Sequence, residues 1–125
     1  MVQTDLSQLS AECSEWRQIL RNYKDEILLS KKSLEELCRK TLSKDQLQEV
    51  EHFGNQFHIQ LINIHDLKQS IKTHERKLQI ESSSGDFAEK TYAQHEELLD
   101  QFIAEENTLQ ELRNEYKNFI SEISC

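Results

Sequence analysis

Five histidines, one Glu-x-x-His spacing and one misplaced glutamate are the groups in this chain that could do chemistry. Glu49-Val50-Glu51-His52 sets Glu49 and His52 three apart, the spacing with which helical bundles hold di-iron centres. Such a centre needs a matching pair from another helix, but the residue three before His95 is Tyr92. His58 and His65 are seven apart, two helical turns or about 10 Å, too far for one ion to bridge. His74 and His95 each stand about ten residues from a pivot at residue 84, so a fold there brings them level. Facing histidines in a core more often bond each other or a water, so no metal or cofactor is expected. Glu49, His52, His74 and His95 are the only candidates for one. No nucleophile sits beside a base with an orienting partner, and two glycines leave little room for a phosphate-cradling loop. The chain reads as no enzyme.

The elements that must position these groups are three hydrophobic stripes stepping by three and four residues. The first runs from Leu6 through Trp16 and Leu20 to Leu37 and Thr41. The second runs from Val50 through Phe57 and Ile64 to Leu78, with His74 in phase. The third runs from Ala88 through His95, Phe102 and Leu109 to Ile123. A repeat of 3.5 residues belongs to helices that wind around one another, and no proline interrupts it. The expectation is one all-α domain over residues 1–125, with three long antiparallel helices at about 5–41, 44–81 and 86–123. They would form an up-down-up, coiled-coil-like bundle.

Local signals support those boundaries. Ser43-Lys44-Asp45-Gln46 has the form of a capping box and starts the second helix at about Lys44. Gly85 can take a positive φ, and Asp86 with Glu89 repeats the cap in acidic form. Gly54 is the one residue against an unbroken second helix, and a break there would give a four-helix arrangement. The stripe continues through it between Phe53 and Phe57. Folding back about residues 42–43 places Gly54 level with Ser30, which predicts a layer of close backbone approach. The second fold brings Gln60 and Asn63 level with Thr108 and Glu105. Glu105 stands where the stripe calls for an apolar residue, so a polar layer that fixes register is expected.

Charge is uneven. Of a net −8, the segment from Ser82 onward carries −7, with ten acids including Glu96, Glu97, Asp100, Glu106, Glu111 and Glu115. Nucleic acid and anionic membrane surfaces both require the opposite sign, and neither is an expected partner. No stretch approaches the roughly 20 apolar residues of a membrane span, and there is no signal-peptide core. Three cysteines, Cys13, Cys38 and Cys125, without a C-x-x-C, fit a cytoplasmic protein, with Cys13 a small hydrophobe in the first stripe.

Leu28 and Leu29, with Ile59 and Ile62, widen their stripes near mid-height and read as a lateral patch for a second copy, a homodimer, or a partner helix. The acids from Ser82 onward read first as a solvated face that maintains solubility, with Glu96, Glu97 and Asp100 as a docking strip for a basic segment the sharper alternative. Function is thus expected to be that of a non-catalytic structural or protein-interaction module. The alternative is a bundle that holds a metal or small ligand between its helices. Three helices with Trp16 inside Glu15-Trp16-Arg17-Gln18-Ile19-Leu20 are loosely similar to a spectrin-type repeat, and at the same level to the syntaxin N-terminal bundle. That resemblance implies architecture alone.

Overall fold

The computed structural model describes residues 2–84 and 89–124, with side chains over 6–81 and 89–123. Three helices account for nearly all of it: α1 (Val2–Leu37), α2 (Lys44–Ser84) and α3 (Glu89–Ser124). Gly54 lies inside α2, which runs through it without a break, so three helices form and not four.

Side-chain pairs fix the topology. Arg17 of α1 meets Glu75 of α2, while Leu34 packs by Gly54, so α1 and α2 are antiparallel. His74 meets His95 and Glu81 meets Thr91, which makes α2 and α3 antiparallel. Glu12 pairs with His95, Tyr23 with Glu106 and Glu26 with Arg113, so α1 and α3 run parallel. The result is the up-down-up bundle that the stripes predict. Backbones approach most closely between α1 and α2 and least between α1 and α3.

The core is the stripes themselves. Leu20 and Ile71 are wholly buried, and Phe57, Ile64 and Leu78 nearly so. Each such side chain contributes about 1.5–3 kcal/mol by leaving water. One end of the bundle is aromatic: Phe53 and Phe57 stand edge-on to Tyr116 at 5.4 and 5.1 Å, and Phe53 lies 5.2 Å from Phe119.

Four local expectations need correction or placement. The first helix stops at Leu37, short of Thr41: amides of Arg39 and Lys40 bond back three residues, to Glu36 and Leu37, tightening the chain into a turn. Thr41 is exposed, and Leu42 instead packs against the core. The cap at Ser43 forms as the sequence implies: its amide donates to Gln46 Oε1 (2.9 Å) and its Oγ accepts from the Gln46 amide (3.2 Å). The close layer of Gly54 with Ser30 does not form. A Cβ at Gly54 would meet the Leu34 side chain at 3.8 Å, an ordinary contact one turn from the expected height. The second turn, with Gly85, Asp86, Phe87 and Ala88, and Cys125 lie outside the described residues.

Candidate functional site

Two places stand apart from plain core packing. The first is a buried polar cluster to which each helix contributes. Cys13 of α1, His74 of α2 and His95 of α3 are in-phase stripe residues, so the same periodicity that buries leucines turns them inward. Cys13 is wholly buried and each histidine is 4% exposed. One ligand atom from each lies within 4.8 Å of the other two. His74 Nε2 is 3.0 Å from His95 Nδ1, and Cys13 Sγ is 4.0 Å from that same Nδ1. On its far side, His95 Nε2 donates to Glu12 Oε2 at 2.7 Å. Trp16 lies over the His95 ring, 4.7 Å between centroids, and fixes its plane.

A carboxylate only accepts, so Glu12 places the His95 hydrogen on Nε2 and leaves the lone pair on Nδ1, the nitrogen that faces Cys13 and His74. His74 Nδ1 is buried with no hydrogen-bond partner among the described residues. Burial, followed by His95 and Lys77, holds the His74 pKa below its ordinary value. Burial above all, with Glu75 and Glu12 nearby, pushes the Cys13 thiol up to about 12. Arg17 closes the cluster at its edge with a two-pronged pair to Glu75 at 2.9 and 2.7 Å. A groove of about 420 Å³ between α2 and α3 reaches His74 past Ser70, Thr73 and Gln94.

The second place is the seam between α1 and α3. Small residues Ser30 and Ser33 face it, and Tyr116 donates across to Ser30 O (3.2 Å) and Ser33 Oγ (3.1 Å). A largely apolar cavity of about 370 Å³ opens there, floored by Phe57 and edged by Leu29, Leu109 and Ile120. Glu26 and Arg113 form an ion pair at its rim, with Arg113 Nη2 to Glu26 Oε2 at 2.7 Å. The seam continues towards the cluster along α3. Glu106 and Gln110 both reach Tyr23 of α1. Leu99 and Ile103, seven and three residues before Glu106, share its face. They are 37% and 46% exposed, and Ile19 of α1 packs partly against the core.

Of the residues singled out in the sequence, His74 and His95 come together as expected. Their partner Cys13 carries no mark in the sequence beyond its place in a hydrophobic stripe, and Glu12, one position off that stripe, carries none. Glu49 and His52 lie elsewhere, in an exposed groove with Glu115 and Glu122. The polar layer forms in part. Gln60 is 5% exposed, and with its amide nitrogen turned to Glu105 it donates at 3.1 and 2.8 Å, giving up a 3.5 Å bond from Asn63. Thr108 turns back to Ala104 O of its own helix.

Leu28, Leu29, Ile59 and Ile62 are all exposed, and Leu29 parts from Leu28. Consecutive residues diverge by 100°, and Leu29 edges the α1–α3 cavity, to which α2 contributes only Phe57. The acids also divide. Glu97 lines the α2–α3 groove, while Glu96 precedes Leu99 and Ile103 by three and seven and shares their face, with Asp100 one turn on. Among known protein families, curated proteins and solved structures, none matches this chain.

Proposed function

We propose that this chain is a non-catalytic interaction module, a rigid cytoplasmic helical rod that receives a basic, amphipathic helix of a partner protein along its α1–α3 face. The observation that carries this reading is the half-exposed apolar row Leu99–Ile103, on the α3 face that, beyond the Tyr23–Glu106 and Glu26–Arg113 pairs, edges the cavity with Ile120. A fourth helix laid in that seam would bury the row and complete a four-helix bundle. Its sign follows from the border of that row, since the cavity beyond it is lined by Glu26 together with the cations Arg113 and Lys117. Glu96, Asp100 and Glu106 border the row on α3, the helix that carries most of the net charge. A second copy, itself at −8, would be repelled by that border. The free thiols of Cys13 and Cys38 accord with a reducing compartment. No described helix is long and apolar enough to cross a membrane.

The reading is tested with two synthetic helices that share one leucine stripe, one with lysines and one with glutamates on its polar face. Titration calorimetry should show binding of the lysine helix alone, weakened by salt. Leu99→Glu with Ile103→Glu should reduce that binding at least tenfold. Equal binding of both helices, binding that survives the double variant, or a stable dimer by light scattering in place of the 14.8 kDa monomer would overturn it.

A further inference from the structure

We infer that Cys13, His74 and His95 form a binding site for a single zinc ion that ties the three helices together. The ligand types are those of zinc, which takes thiolate at about 2.3 Å and imidazole nitrogen at about 2.0–2.1 Å in a tetrahedral shell. Those bond lengths require nitrogens about 3.3 Å apart and sulfur about 3.6 Å from nitrogen. The distances here, 3.0 Å between His74 Nε2 and His95 Nδ1 and 4.0 Å from that Nδ1 to Cys13 Sγ, bracket these values. The third pair, Cys13 with His74, lies within 4.8 Å, so side-chain shifts of up to about 1 Å would centre an ion among the three.

Three further features match a zinc site. Glu12 on His95 Nε2 is the carboxylate–imidazole pairing that orients a metal-bound histidine and leaves its other nitrogen as donor. Trp16 prevents that ring from turning away. Charge also closes: one dication is balanced by a Cys13 thiolate and the Glu12 carboxylate, while Arg17 and Glu75 cancel each other alongside. Entry is available along the α2–α3 groove that reaches His74, and the fourth position falls to a water from that side. As a plain core layer the same residues make little sense. A thiol and two imidazoles occupy buried stripe positions that leucines would fill with a gain in stability.

Coordination requires the Cys13 S–H bond to break, its proton leaving to solvent as the sulfur–metal bond forms; no oxidant or reductant takes part. Cobalt(II), a zinc substitute with visible spectra, tests this in the reduced chain carrying Cys38→Ser and Cys125→Ser, so that Cys13 is the one thiol present. The expected result is saturation at one cobalt per chain, with a thiolate-to-cobalt charge-transfer band and quenching of Trp16, the single tryptophan. Zinc should displace the cobalt and raise the melting temperature. Glu12→Gln should keep the band and the stoichiometry but weaken zinc binding about 10- to 100-fold. Cys13→Ser should abolish the band. Cobalt bound without a thiolate band, Trp16 emission unchanged at saturation, or a melting temperature indifferent to zinc would each overturn the assignment. The band in the Cys13-bearing chain decides the matter even where Cys13→Ser fails to fold.

Discussion

Glu105→Gln removes one charge from the Gln60–Glu105 layer and changes little in shape, so its effect on stability isolates the cost of that charge. Burial raises the Glu105 carboxyl from 4.5 to about 7. A shift of that size corresponds to about 3 kcal/mol of penalty on the charged form. The two bonds from the Gln60 amide favour the carboxylate and offset part of it. The substituted amide still bonds Gln60, so the net gain at pH 8 is about 1–2 kcal/mol. Its sign depends on pH. Below about 4.5 the group is protonated in both folded and unfolded chains, and wild type and variant should be equally stable. Between about 4.5 and 7 the folded chain holds a proton that the unfolded chain has released, so the wild type loses stability as pH rises. Above about 7 the whole penalty is present. Urea unfolding of both proteins at pH 4.5, 6 and 8, followed by helical circular dichroism, reads the difference and cancels every other titrating group. A gain that is flat across the three pH values, or a variant weaker than wild type at pH 8, would refute the burial argument. It would mean that Gln60 solvates the charge fully.

Two further substitutions test packing. Gly54→Ala should stabilise the chain by about 0.5–1 kcal/mol in urea unfolding, because the new methyl meets only Leu34 at 3.8 Å and the helix gains propensity; a loss would show that the glycine serves close approach after all. Tyr116→Phe should cost about 1 kcal/mol by removing the hydroxyl that bridges Ser30 and Ser33 across the α1–α3 seam, and an unchanged midpoint would show that water serves those groups equally well.

The bundle was legible because each helix obeys one rule, a stripe stepping by three and four, that depends on nothing outside itself. His74 and His95 were legible for the same reason: both lie in phase, and counting from one pivot set them level. Cys13 was not, because a cysteine in a stripe carries no mark that separates a ligand from a small hydrophobe. Its role appears only once α1 is placed against α3, and no count along the chain fixes how two helices joined through a third align. Glu12 was missed because it sits one position off the stripe, where an acid reads as solvated surface. In the fold Glu12–His95 and Tyr23–Glu106 share an offset of 83 residues, and Glu26–Arg113 and Tyr23–Gln110 one of 87, an alignment that exists only once α1 is set against α3. Gly54 was placed against Ser30 because an idealised fold-back ignores the residues spent in the turn after Leu37. The chain stops being helical four residues early there, and α1 is carried one turn along α2.

The two ends of the bundle are built on different principles, and that asymmetry bears on both proposals. Around Phe53, Phe57, Tyr116 and Phe119 the core is aromatic and makes its own stability by area buried. Around Cys13, His74, Thr91 and His95 polar groups are buried among Leu9, Trp16, Ile71 and Leu78. An apolar layer there would serve a rod whose only task is to be rigid. A polar layer that costs stability in the bare chain is consistent instead with a group that arrives from outside and returns that cost on binding. The ion would then stiffen the end of the rod where α1 and α3 are joined through Glu12 and His95. That is the same seam, a few turns away, in which the partner helix is proposed to lie, so zinc would favour the spacing of α1 and α3 that receives it.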